Sequence, residues 1–157
     1  VKRSASACYC INLRRATQAV TRLYDEVLAP SGLRVTQYSL LRRIQRLGVA
    51  SIGTLALEAE LDRTTLTRNL KPLLDAGLVE QAPGTDRRSR PLRLAPAGAA
   101  ALERALPLWH EAQQRVDGLM GREQAQALCA LLAVLESAAA DACAARPYNN
   151  PLPRRDK

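Results

Sequence analysis

The chain has no phenylalanine, a single tryptophan, methionine and histidine, and only 3% aromatic residues in 157. An all-β core, which relies on aromatic and β-branched pairs, is poorly served by that composition. One histidine, with no phosphate-cradling glycine loop, no nucleophile elbow and no metal triad, leaves little from which to build an active site. No enzyme activity, cofactor or metal site is therefore expected. No unbroken apolar run approaches the roughly 18 to 20 residues that span a bilayer, and the first residues lack a signal-peptide apolar region. The expectation is a cytoplasmic protein without a membrane partner. In that reducing compartment Cys8, Cys10, Cys129 and Cys143 are free thiols rather than a disulfide framework.

What is abundant is alanine, leucine and positive charge. Apolar residues reach 47%, enough for one helical core, and 23 Lys plus Arg against 15 Asp plus Glu give a formal charge of +8. Such a surplus favours a polyanionic partner, and nucleic acid leads.

The apolar spacing predicts a long amphipathic helix from Cys10 to Leu28 through Leu13, Ala16, Val20, Leu23 and Val27, with Arg22 available to pair with Asp25 or Glu26. Ala29-Pro30-Ser31-Gly32 should break it. Thr36 is the expected N-cap of a second helix ending at Gly48, and Ser51 that of a short third helix from Ile52 to about Ala59. A tight turn at Leu61-Asp62 leads to a fourth helix with Leu66, Leu70, Leu73 and Leu74 inward, and Arg63, Thr64, Thr67, Arg68 and Lys71 outward. Pro72 should kink it or limit its last turn. Strands are expected at residues 78–81 and 91–94, around a tip reading Asp86-Arg87-Arg88-Ser89-Arg90. Two outer helices follow, from Pro96 to about Leu119 with an interruption or kink near Pro107, and from Arg122 to about Ala145. They carry more apolar surface than a small core covers, so a second subunit is the simplest cover. The predicted fold class is mainly α with a small β-hairpin wing.

A helix-turn-helix followed by a basic hairpin is a winged helix-turn-helix. The chain here resembles the MarR family of bacterial transcriptional regulators. The resemblance runs from Cys10 to about Ala145. It is carried by Gly32-Leu33-Arg34-Val35-Thr36-Gln37-Tyr38, Asp62-Arg63-Thr64-Thr65-Leu66-Thr67-Arg68, Leu74-Asp75-Ala76-Gly77-Leu78-Val79 and Asp86-Arg87-Arg88. It implies one domain over residues 1–157: dimerisation helices at 8–32 and 96–146, a winged helix-turn-helix at 33–95 and a flexible tail at 147–157. It further implies an obligate homodimer on a pseudo-palindromic double-stranded DNA operator, with repression by promoter occupancy.

The recognition helix would use Arg68 on guanine or phosphate, Thr64 and Thr67 on base edges or thymine methyls, and Lys71 on phosphate, with Arg63 and Thr65 in the same DNA-binding group. Thr64 or Thr65 has a plainer alternative, capping or back-bonding to the helix itself. The resemblance assigns a minor-groove contact to Arg88, orientation of the wing to Asp86, and phosphates to Arg87 and Arg90. An architectural protein that binds DNA without sequence preference is the alternative within this class.

Two switches compete. One is a small aromatic or phenolic effector held by Arg14 or Arg15 with Tyr38 or Tyr9 stacking nearby, in a location that the resemblance suggests. The other is an oxidant. Cys10 falls in the register of the reactive cysteine of the family's organic-hydroperoxide-sensing branch, and Tyr24 matches one of the tyrosines lining it. Val35 stands where that branch has its second tyrosine. Cys8, Cys129 or Cys143 would then serve as exchange partners. His110 and Trp109 read as surface and interface residues.

Overall fold

The computed structural model describes residues 4–83 and 91–145, the last of these by its backbone alone. The chain divides into two compact units, residues 1–114 and 115–157.

In the first unit, α1 (Tyr9–Leu28) opens the fold and buries only its C-terminal end, through Tyr24, Val27 and Leu28. Leu13 and Val20, on the same apolar stripe, remain exposed in the single chain. A 3₁₀ turn (Ala29–Ser31) closes α1, and Gly32 supplies the left-handed conformation, at φ 76°, that ends it. The buried Ser31 hydroxyl donates to Leu28 O at 2.6 Å and accepts from Leu33 N at 3.3 Å, so the sharp reversal leaves no stranded polar group.

Helix α2 (Val35–Leu47) is capped at Arg34, two residues before the expected Thr36. The displacement has a physical cause. The Val35 N–H donates to Asp25 Oδ1 on α1 at 2.8 Å, and Gln37 Oε1 reaches back to accept from Arg34 N at 2.9 Å. A carboxylate ten residues upstream thus satisfies a helix end that no local hydroxyl needs to serve. It also occupies Asp25. Arg22 donates instead to the carbonyl of Gln18, not to Asp25 or Glu26.

After a two-residue strand β1 (Val49–Ala50), α3 (Ile52–Ala59) starts on Ser51, whose hydroxyl accepts from Thr54 N at 3.0 Å. The turn that follows places Glu60 in the left-handed region at φ 53°, with its N–H on the carbonyls of Ala56 and Leu57. Helix α4 (Arg63–Asp75) then begins on Asp62. It runs three residues past Pro72, so that proline limits the last turn without ending the helix at its own position. Leu66, Leu70 and Leu73 are buried as expected; Leu74 is exposed, lying on the outer edge of the stripe.

Strands β2 (Val79–Gln81) and β3 (Leu92–Leu94) pair antiparallel with Glu80 opposite Arg93. Strand β1, not anticipated from the sequence, adds to the other side of β3 with Ala50 opposite Leu92, in the order β1-β3-β2. Arg93 Nε and Glu80 Oε1 form a 2.7 Å cross-strand ion pair. The core beneath gathers Leu28, Leu41, Ile44, Leu55, Leu66, Leu70, Leu73 and Val79, all essentially buried. Each such side chain contributes about 1.5 to 3 kcal/mol of apolar transfer.

Helix α5 (Pro96–Met120) runs through Pro107 without a break, which excludes the interruption and leaves the kink of the two expectations there. Gly98 explains how closely its first turn can lie on the base of the hairpin: a Cβ there would sit 2.1 Å from the carbonyl oxygen of Leu78. Further along, Trp109 is half-buried and stacks on the buried Tyr38 at 6.0 Å between ring centroids.

The second unit comprises the end of α5 and α6 (Arg122–Ala145), with Gly121 at φ 87° between the two helices. Its large apolar residues, Leu128, Leu131, Leu132, Val134 and Leu135, are all exposed in the single chain. Within residues 122–144 an 18-residue window reaches a mean hydropathy of 1.7, so by length and composition α6 is long enough to cross a membrane. A search for unbroken apolar runs overlooks this, because Gln126, Glu136 and Asp141 interrupt the alanines and leucines. The two carboxylates are costly in hydrocarbon, about 2.5 to 3.5 kcal/mol for a mid-span aspartate.

Candidate nucleic-acid interface

Helix α4 combines a rooted face and a displayed face. With about 100° between successive residues, Leu66, Leu70 and Leu73 define one stripe, and Thr64, Arg68 and Lys71 lie roughly 130° to 170° away from its centre. All three are exposed. Thr67 and Arg63, also exposed, lie on the flank nearer the buried stripe. The helix is held rigidly at its start: Asp62 accepts from Thr65 N at 2.9 Å and from Thr65 Oγ1 at 2.6 Å. Those two bonds, the hydroxyl bond foremost, hold the Asp62 carboxyl below the usual aspartate value.

The hydroxyls of this helix therefore differ in what they have left to give. Thr65 donates its proton to Asp62 and is half-buried, which makes it a cap partner. Thr67 donates to the carbonyl of Arg63 at 2.7 Å, keeping its methyl and oxygen lone pairs available outward. No hydrogen bond or ion pair engages the side chains of Thr64, Arg63 or Arg68 among the described residues. Lys71 Nζ sits 2.9 Å from Asp75 Oδ2, an exposed i,i+4 pair worth only about 0.3 to 0.5 kcal/mol and readily given up to a phosphate. Asp86, Arg87, Arg88 and Arg90, expected at the hairpin tip, lie outside the described residues.

The arginines of α2 are partly committed to holding α3 in place. Arg43 Nε donates to the carbonyl of Glu58 at 3.1 Å, and Arg46 forms an ion pair with the Glu58 carboxylate. Helix α2 is thereby tied to the first helix of the helix-turn-helix at the C-terminal end of α3, where negative helix-dipole charge favours cations.

The residues expected to bind an effector are spread out. Tyr38 is buried, and that burial raises its phenol above the ordinary tyrosine value, against a smaller opposing influence from Arg42. Tyr9 is 82% exposed at the opposite end of α1 from the core. Arg14 is exposed and Arg15 half-buried, and no hydrogen bond or ring contact joins either to Tyr9 or Tyr38. Tyr38 has instead acquired Trp109, a partner not foreseen, because 71 positions of sequence separate them and only the packing of α5 on α2 brings them together. Cys8, Cys10, Cys129 and Cys143 are all free and exposed, with Cys10 in the first turn of α1.

Comparison with known proteins agrees with this geometry. The MarR family model matches residues 33–89, a stretch that begins just before α2 and includes α3, α4 and β2. Among solved structures, the M. tuberculosis transcriptional regulator MosR in complex with DNA is 36% identical, with 83% of this chain and 98% of that one covered and a TM-score of 0.70. A mutant MarR from E. coli, complexed with operator DNA, is 26% identical over 78% of this chain and 89% of that one, with a TM-score of 0.72. No curated protein sequence matches. A rooted recognition helix, a three-stranded wing sheet and more than a third of residues shared across nearly the full length of a relative lead to one conclusion: the chain belongs to the MarR family of winged helix-turn-helix, DNA-binding transcriptional regulators.

Proposed function

We propose that the protein is a homodimeric repressor that binds a pseudo-palindromic duplex operator and is released by a small aromatic or phenolic ligand. The observation that carries the DNA-binding part is the divided surface of α4, apolar and locked into the core on one side, exposed and, among the described residues, without a side-chain partner at Thr64 and Arg68 on the other. Such a helix can enter a major groove without surrendering any core contact. Arg68 reads guanine or phosphate, Thr64 and Thr67 offer methyl and oxygen groups to base edges, and Lys71 and Arg63 serve phosphates. The capping pair Asp62 and Thr65 holds the helix start. The wing residues Arg87, Arg88 and Arg90, with Asp86, take the minor-groove and phosphate roles that family membership suggests.

Dimerisation is supported by the uncovered apolar stripes of α1 and α6, the segments 8–32 and 96–146, flanking the DNA-binding segment 33–95. The effector is assigned to Arg14 or Arg15 with Tyr9 or Tyr38, a carboxylate on an aromatic body being the matching chemistry. A second reading, thiol sensing at Cys10, is favoured by the exposure of all four thiols in the chain. A hydroperoxide would oxidise the Cys10 thiolate to sulfenic acid with release of the alcohol. Condensation with the thiol of Cys8, Cys129 or Cys143 would then form a disulfide and expel water.

The decisive experiment is a binding titration on a duplex that the protein selects from a random-sequence pool, against a scrambled duplex at matched salt. Arg68→Ala is expected to cost about 1 to 3 kcal/mol on the selected duplex and to erode the preference for it. Equal affinity of the parent for both duplexes would leave only a non-specific architectural binder. Repeating the titration with salicylate-like aromatic acids, and with organic hydroperoxide on parent and Cys10→Ser, separates the two switches. Release by hydroperoxide that survives Cys10→Ser removes the thiol mechanism.

A further inference from the structure

From the way α3 meets the start of α4, we infer that Gly53 is a positioning residue that seats the Arg63 guanidinium, committing Arg63 to a DNA phosphate rather than to a base. The inference rests on the proposed DNA-binding role of α4. A Cβ at Gly53 would stand 3.3 Å from Arg63 Nη2 and 3.6 Å from Ser51 Oγ, so the guanidinium lies close over the glycine, in the space a larger side chain would enter, beside the cap of α3. The Arg63 stem walls one side of an open apolar cleft together with Gly53, Ala56, Leu57, Glu60 and Leu61.

Helix geometry gives the same orientation independently. Arg63 lies roughly 50° from the centre of the buried stripe of α4, on the side facing α3, whereas Arg68 lies roughly 170° from it. The two arginines of the recognition helix thus point to different places. Arg68 projects straight out, where a groove floor would be. Arg63 folds back along the flank, where the sugar-phosphate strand bordering the groove would pass, and no hydrogen bond or ion pair among the described residues engages its N–H groups there. Glycine is otherwise a poor choice at this position, since in a helix it is less favourable than alanine. The seat for Arg63 accounts for it.

Opposite signs in stability and binding make the inference testable. Gly53→Ala should keep or raise the thermal midpoint and weaken DNA binding slightly, because a methyl at 3.3 Å makes the guanidinium give by a few tenths of an ångström. Gly53→Val should displace it further and weaken dimer binding about a hundredfold, as should Arg63→Ala, the order expected for two charge-assisted contacts, one per protomer. Both should flatten the log–log salt dependence by about 2 for the two protomers together. The probes are the duplex selected from a random pool, its single-base variants and a scrambled duplex. Each variant should lose the same factor on all of them, since a phosphate contact carries no sequence information. In an Arg63→Ala background, Gly53→Val should cost nothing more.

Additive losses from Gly53→Val and Arg63→Ala, or unchanged binding by Gly53→Val, would overturn the seat. A loss by Arg63→Ala confined to particular base pairs would overturn the phosphate assignment. If Arg63→Ala binds like the parent while Arg68→Ala does not, this inference fails and the DNA-binding role of α4 stands. If neither matters, that role itself fails.

Discussion

The two ends of this molecule and its middle are built to different standards of closure. In the stretch from α2 to β3, buried leucines alternate with capped helix ends: Ser51 on Thr54 N, Asp62 on Thr65 N, Asp25 on Val35 N. In α1 before Tyr24, and along all of α6, comparable leucines and valines face outward. The middle completes itself within one chain. The outer helices have amphipathic or apolar sequences whose partner surface is not supplied by the elements of their own unit, and the proposed partner is a second copy. The difference teaches that core and assembly are specified by separate residues, so each can be broken without the other.

The largest expected effect breaks the outer side of that comparison. Replacing Leu131 and Leu135, both exposed on α6, by glutamate should abolish the dimer while leaving the helical content of the DNA-binding segment in place. Sedimentation velocity reads the change from two chains to one. A parent that is already monomeric at micromolar concentration would defeat the argument. Next comes the inner side: Leu70→Ala, in the core at 1% exposure, should cost about 2 to 5 kcal/mol by chemical denaturation, whereas Leu131→Ala should act mainly through the concentration dependence of the midpoint. A Leu131→Ala variant as destabilised as Leu70→Ala at every concentration would show that α6 packs on its own chain. Removing the cap of α3 by Ser51→Ala is smaller again, about 1 kcal/mol, and should leave the oligomeric state alone.

What could be read in advance follows the same division. Helix α3 and α6 fall where their caps, glycines and periodicity put them, because those signals lie within the element. The cap of α2 was misplaced because its decisive group, Asp25, sits on another helix. Strand β1 escaped notice because two residues carry no periodicity; only pairing with β3 defines it. The recognition face of α4 was legible from the leucine spacing, with Leu74 assigned inward by one residue too many. The Gly53 and Arg63 contact and the Tyr38 and Trp109 stack were not legible, since each depends on the angle at which two helices meet. A glycine in the first turn of an otherwise strong helix was the single hint.

Asp62 supplies the finest test, because it belongs to both sides of the argument: a cap for the fold and a negative charge beside an expected phosphate strand. Its hydrogen bonds from Thr65 hold its carboxyl below the ordinary value, so the ionised form favours the folded state. The stabilisation is therefore present above the unfolded aspartate value, about 3.9, and is lost as pH falls through the lower folded value. Asp62→Asn keeps an acceptor for Thr65 N but carries no charge. It should be slightly less stable than the parent at pH 7, with the difference closing as denaturation midpoints are followed down through pH 4. On DNA the same substitution removes a repulsion near the helix start, so affinity for the selected duplex should hold or rise, most at low salt. A variant whose stability deficit persists unchanged at pH 3 would show that Asp62 acts as a neutral cap alone, and a loss of DNA affinity would place its charge away from the phosphates.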